Sequence, residues 1–312
     1  MLKQIDEQWN LSNPTFNIKC PDTRYGTLFG CCIRKKNNIL AISARHAAPS
    51  EPIGPGVVYL YQNSEIKVIE SPTPSLGDRF GISMALGKKY IIIGSYRDNK
   101  NNGAVFIYDL NGSLVKKIKP DSHYFGYNLD YNDEYLIVGC YEQNKVFIYD
   151  KDLNQKIIYG EGRFGRSVKI FNDFFLVGAT WQNAVHKYDF TGKLISSYYS
   201  EHMGYGSSIF KNNKNLVVGA YDSNRVVING KVVQGGRMFG GSVYGNKEVV
   251  IVGSAQSNSA GIYDYKGNQI SYHKSNDEYY GYSVFADNQE IYVGAPMACL
   301  LYTSPSPRDS DS

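Results

Sequence analysis

A single spacing recurs down the length of this chain: an aromatic residue, a glycine directly after it, and a second glycine fourteen positions beyond the aromatic. Seven pairs share the phase: Phe29-Gly30, Phe80-Gly81, Phe125-Gly126, Phe164-Gly165, Tyr205-Gly206, Phe239-Gly240 and Tyr280-Gly281. The +14 positions are Ser43, Gly94, Gly139, Gly178, Gly219, Gly253 and Gly294. The +3 positions are small or short as well: Cys32, Ser83, Asn128, Ser167, Ser208, Ser242 and Ser283. Thirteen of the 31 glycines fall on the aromatic-glycine and +14 places, so the repeat is the organising unit of the chain.

Each unit reads as four short strands. The first follows the aromatic-glycine pair (FGRSV, FGGSV, YGYSV), and the second is apolar and ends at the +14 glycine (YIIIG, YLIVG, FFLVG). A third is β-branched and aromatic (AVFIYD, KVFIYD, AVHKYD), and a fourth follows a short polar turn, as in LNGSLVKKI. Apolar runs bounded by Asn, Asp and Gly are strand and hairpin signals, and no helical period is sustained. The anchors lie 34 to 51 residues apart, which suits one blade of a propeller. The expectation is all-β: a seven-bladed β-propeller of four-stranded antiparallel blades. In it the aromatics fill the space between blades, and the glycines allow backbones to approach where a Cβ would collide.

The order FGxSV, then (I/V)VGA, then VFxYD resembles the FG-GAP repeats, which also build the heads of integrin α-chains. The likeness covers about Phe16 to Pro296 and implies adhesion or recognition. The calcium-binding branch carries an acidic DxDxDG loop after the first strand. Here those loops read ALGKKY, DYNDEY, IFNDFF or FKNNKN, too poor in oxygen ligands for a six- to eight-coordinate site. The resemblance is therefore to a short, calcium-free branch, and neither metal nor cofactor is expected.

The two ends differ in kind. FNIKCPDTRYGTLFG aligns with VIESPTPSLGDRFG, so Phe16–Cys20 reads as the last strand of a blade begun elsewhere. Ile5–Trp9 and Phe16–Cys20 beside the unit of Tyr280 would close the ring with strands from both termini and remove its open edges. Cys299–Asp309, CLLYTSPSPRD, matches codon by codon the translation of a transposase-type sequencing adapter. Cys299–Ser312 is accordingly expected to be a non-native tail outside a propeller of residues 1–298.

With 33 Lys and Arg against 29 Asp and Glu, the net charge of +4 is too mild and dispersed to indicate nucleic acid. No apolar run approaches a membrane span. MLKQIDEQWN has no secretory h-region, whereas the resemblance suggests a cell or virion surface. Cys20, Cys31, Cys32 and Cys140 show no CxxC spacing and read as reduced small hydrophobes.

Catalytic signals are sparse. His46, His123, His186, His202 and His273 lie in different units without metal-ligand spacing. Asp109, Asp150, Asp189 and Asp264 occupy one repeated place at the end of the third strand, where turn chemistry explains them. Asn99, Asn144, Asn183, Asn224 and Asn258 stand five residues past the +14 glycine and mark a shared turn with positive φ. No nucleophile elbow, P-loop or dinucleotide fingerprint occurs.

Just before those asparagines come Tyr96, Tyr141, Trp181 and Tyr221, in four successive units and on one rim of the ring. They form either a ligand platform or packing against neighbouring blades. The loops leading into the first strands open on the same rim and bring Arg24, Arg79, His123, Arg163, His202 and Arg237. The aromatics with Arg79, Arg163 and Arg237 are the candidate ligand-binding residues, and Arg beside rings favours an anionic or glycan ligand. The expected function is non-catalytic recognition of a protein or glycan. A structural part of a larger surface or viral (phage) assembly is the alternative, and a propeller glycan hydrolase or lyase comes third. The enzyme would require non-repeated polar residues converging on the channel.

Overall fold

The computed structural model describes residue 11 and residues 16–21, 28–46 and 54–305. They form seven four-stranded antiparallel sheets arranged as a seven-bladed β-propeller. The first strands of the units are innermost and touch one another around a central channel. They span Phe29–Lys36, Ser83–Leu86, Asn128–Tyr131, Phe164–Ile170, Tyr205–Lys211, Phe239–Gly245 and Ser283–Ala286. The second strands are buried along nearly their whole length, and Phe175–Ala179 throughout, because a blade is covered on both faces. The outer strands, such as Leu194–Tyr199, meet solvent. All seven anchor aromatics are buried, and Phe80 packs among Val58 and Leu60 of blade 1 as well as Ile91, Ile93 and Phe106 of its own blade.

The repeated spacing has a steric cause. A Cβ built on Gly94, Gly139, Gly178, Gly219, Gly253 or Gly294 would lie 1.9–2.2 Å from a carbonyl oxygen. In each case that oxygen belongs to the anchor glycine of the next blade, and the last contact, Gly294 to Gly30, closes the ring. The +3 serines grip the same oxygens: Ser83 donates to Gly126, Ser167 to Gly206, Ser208 to Gly240 and Ser283 to Gly30, at 2.6–2.8 Å. Blade 1 exchanges the roles, with Ser43 Oγ accepting from the Cys32 amide at 3.0 Å. One interblade contact thus explains +1, +3 and +14 together.

The repeated polar residues are structural. Asp109, Asp150, Asp189 and Asp264 each accept from the amides two and four residues on, at 2.8–3.0 Å. Asn144, Asn183, Asn224 and Asn258 adopt φ of 49–56°. Their side chains accept from Phe164, Gly204, Met238 and Tyr279, so each clamps the start of the next inner strand.

Ring closure departs from expectation in one respect. Phe16–Lys19 is the outermost strand of blade 7, but the third strand there is Leu300–Pro305. Leu301 and Thr303 are buried, and the Tyr302 ring meets Tyr280 edge-on at 5.1 Å. The expectation that residues from 299 onward stand outside the packed fold is corrected for 300–305. Alternating residues of LLYT suit a slot between two strands that would otherwise be exposed edges. Ile5–Trp9 and residues 306–312 lie outside the described residues, as does Arg24.

Candidate functional site

The site begins at a turn. In blades 2, 4, 5, 6 and 7 the residue before the anchor aromatic accepts a hydrogen bond from the amide of the +2 residue. The anchor glycine, third in that turn, has φ of 84–95° in all seven blades, a conformation that glycine adopts without a Cβ penalty. The residue ahead of the aromatic also has positive φ: Leu28, Arg79, Tyr124, Arg163, Met238 and Tyr279 at 57–63°, and Gly204 at 78°. Such a conformation is costly for bulky side chains and is held here by the surrounding repeat. It brings the −1 and +2 side chains together at one mouth of the channel. The +2 residues, Cys31, Ile82, Tyr127, Arg166, Ser207, Gly241 and Tyr282, all line that mouth.

Rings and guanidinium groups interleave there. Arg166 lies 4.7 Å from the Tyr127 ring centre, 5.3 Å from Tyr141 and 5.7 Å from Tyr221. Arg163 lies 4.4 Å from Trp181 and 5.7 Å from Tyr141. Tyr96 packs against Tyr124 and Tyr127 and carries Arg97 at 5.5 Å. Arg45 donates from Nη1 to the Tyr282 hydroxyl at 2.8 Å. These distances fall within the range of cation–π attraction.

The mouth is short of negative charge. Among the described residues no ion pair includes an arginine. The Nε atoms of Arg45, Arg79, Arg163 and Arg166 are buried without a hydrogen-bond partner. Burial, Arg45 and Arg97 together hold the Arg79 pKa below its ordinary value. Burial, Arg79, Arg45 and Arg97 pull His46 down to about 4. Burial pushes the Cys31 thiol up to about 11.

Below the mouth, the channel carries residues that do not repeat. The +5 positions include Arg34, Asp130, Lys169 and Tyr244, which line a cavity of about 160 Å³. Lys169 pairs with Asp130 at 3.0 Å, and Asp130 also accepts from the Ile170 amide at 2.8 Å. Among the described residues no three His, Cys, Asp or Glu side chains converge to hold a metal ion. No helix among them is long and apolar enough to cross a membrane.

The expected rim is thus one contiguous surface, with an unequal exposure. Trp181 is 69 % exposed, whereas Tyr96, Tyr141 and Tyr221 are half-buried against arginines and other rings. Arg163 reaches Tyr141 and Trp181 at the edge of the mouth, and Arg79 lies near Arg45, Tyr96 and Arg97. Arg237 is exposed and tied by its backbone to Ser254 and Ser257. Sequence reasoning missed Arg45, Arg97, Arg166, Tyr127 and Tyr282, together with the channel residues. Their signal was variation: the +2 and +5 places differ from unit to unit inside a strand that otherwise repeats.

The FG-GAP repeat profile matches residues 71–108, which run from the end of blade 1 into the third strand of blade 2. Residues 71–108 are thus an FG-GAP repeat, and the seven-bladed propeller around them is consistent with a propeller of such repeats. No curated protein matches this chain significantly in sequence. Among solved structures it is similar to a streptogramin B lyase (TM-score 0.74, 10 % identity, covering 93 % of this chain and 97 % of that one). It is likewise similar to virginiamycin B lyase from Staphylococcus aureus (0.72, 11 %, 92 % and 97 %). Raptor from Chaetomium thermophilum matches 99 % of this chain with 31 % of its own length, at a TM-score of 0.72 and 11 % identity. At such identities the likeness carries the architecture alone.

Proposed function

We propose that this propeller is a non-catalytic recognition module that binds a glycan or protein through the mouth. The observation that carries the reading is the interleaving of Arg163 and Arg166 with Tyr141, Trp181 and Tyr221. Planar cations already stacked on rings lose little side-chain freedom on binding, and pre-ordered aromatic and Arg groups are the usual anchors of binding surfaces. Their support is a backbone conformation of positive φ repeated in every blade.

A second reading, catalysis in the channel, draws on the non-repeated Arg34, Asp130, Lys169 and Tyr244. The engagement of Asp130 by Lys169 and the Ile170 amide favours binding instead, because the carboxylate there is not a free base. The test is a glycan and protein panel read with the parent and with Trp181→Ala. The exposed Trp181 contributes little to the core, so the variant should melt like the parent while its binding weakens by about 1–3 kcal/mol. Unchanged binding across every ligand the parent takes would overturn the reading, and conversion of a bound glycan to new products would favour the second.

A further inference from the structure

We infer that the ligand enters end-on: a terminal acidic sugar seats its anionic group between Arg166 at the mouth and Arg34 and Lys169 in the channel. The inference rests on the mouth being the binding surface.

The cavity at the mouth, about 210 Å³, and the one beneath it, about 160 Å³, share Arg34, Asn128, Ser242 and Val284 as walls and make one well. Even together the two lie near the lower end of the ~300–1,000 Å³ of pockets that enclose a drug-sized ligand, so the well takes a single end group and not a longer stretch of chain. The charge of its walls selects the group. Arg166, Arg34 and Lys169 face a single carboxylate, Asp130, leaving an excess of two positive charges among these four. Arg166 Nε is buried and without a partner, as are the Nε atoms of Arg45 and Arg79 on the rim. In a confined site of low dielectric a buried N–H without an acceptor is costly, and an incoming carboxylate or sulfate would relieve that cost.

The walls select the body that carries the charge. Tyr127, Tyr221 and Tyr282 flank the opening. A pyranose ring presents flat faces to such walls and fills the well, whereas an Asp or Glu side chain would leave most of it to water. Carboxylated and sulfated sugars share this chemistry, and the experiment separates them.

Affinities would be measured by calorimetry on the intact chain for tetragalacturonate (carboxylate), a heparin tetrasaccharide (sulfate-rich), two neutral controls (methyl-esterified tetragalacturonate and cellotetraose) and polyglutamate. At least one acidic sugar should bind about tenfold or more tighter than the neutral pair, with affinity falling as salt rises. The acidic probe that responds names the group. Arg34→Gln should abolish the preference, and Trp181→Ala should weaken acidic and neutral members alike. Should Arg34→Gln impair folding, the salt dependence of the parent still decides. Equal binding of acidic and neutral sugars overturns the inference and leaves the mouth intact, as does an acidic preference unmoved by Arg34→Gln. Tighter binding of polyglutamate overturns the sugar assignment. Failure to bind any probe overturns end-on recognition of acidic sugars, while the panel with Trp181→Ala judges the mouth separately.

Discussion

Replacing Gly219 by alanine tests the interblade contact at its tightest point. A Cβ there would stand 1.9 Å from the carbonyl oxygen of Gly240 and 2.4 Å from Ser208 Oγ. Ordinary contact begins near 3.4 Å, so the oxygen must retreat by about 3.4 − 1.9 = 1.5 Å. That oxygen is backbone, belongs to the next blade, and accepts from Ser208 Oγ at 2.7 Å. The movement costs about 1–3 kcal/mol as overpacking and about 1–3 kcal/mol for a hydrogen bond broken at a shielded carbonyl. Gly219 is outside the positive-φ region, so restricting the unfolded chain returns about 0.4–1 kcal/mol. The expected net loss is about 2–4 kcal/mol, read as a shift of the urea midpoint followed by far-UV circular dichroism. Gly230→Ala is the control, since its φ of 87° is strained but nothing lies within 4 Å of the added carbon. It should lose only about 1 kcal/mol. A Gly219→Ala loss below about 0.5 kcal/mol, or no larger than that of the control, would refute the steric origin of the repeat.

Other perturbations address the remaining repeated positions, the seam and the mouth. Asn183→Ala should lose about 1–3 kcal/mol by urea denaturation, because it removes both a residue suited to positive φ and the acceptor of the Gly204 amide. Cys299 occupies the same left-handed place in blade 7, at φ 54°, so Cys299→Asn should raise the melting temperature; a lower one would count against the clamp. Deleting residues 1–20 strips the outer strand from Leu300–Pro305 and should lower the melting temperature sharply, an outcome an unchanged melt would contradict. His46, held near pH 4 against 6.5 when unfolded, gives its full contribution above pH 6.5 and loses it as pH falls towards 4. Asp78, raised to about 6 by burial, works in the opposite sense, its contribution vanishing as pH rises through 6. His46→Asn should therefore lose less stability than the parent between pH 7 and 4.5 in thermal melts, and an equal loss would remove His46 from the account.

The architecture was legible because one contact is made seven times. The anchor glycine meets the +14 glycine across six interfaces and the +3 serine joins them at four, so the spacing is written into nearly every unit, with exceptions such as the exchange at Ser43 and Cys32. The asparagine clamp was half legible. Its positive φ followed from residue type, but that Asn183 Oδ1 reaches the next blade depends on the curvature of the ring, which no local pattern records. Blade 7 misled for the complementary reason. CLLYTSPSPRD carries no Asp at the third-strand turn, with Pro305 in register opposite Glu290, yet its alternation suffices once two bare strand edges flank it.

The site was legible only where it borrowed the scaffold's own positions. Tyr96, Tyr141 and Tyr221 stand sixteen residues after their anchors and share the phase of the repeat; Arg45 holds that same place in blade 1 without being aromatic. Arg166 lies at +2 between Gly165 and Ser167, and Tyr127 between Gly126 and Asn128, at a place that does not itself repeat. In a closed ring the interface residues must recur, because each blade meets its neighbour in the same geometry. The channel residues take no part in that glycine contact and are released from its requirement. Variation at an inward place of a repeated strand is therefore the trace left by a ligand-facing position. By that criterion the +2 and +5 residues, with Arg166, Arg34 and Lys169 foremost, outrank the exposed Arg237 as candidates for the proposed ligand contact.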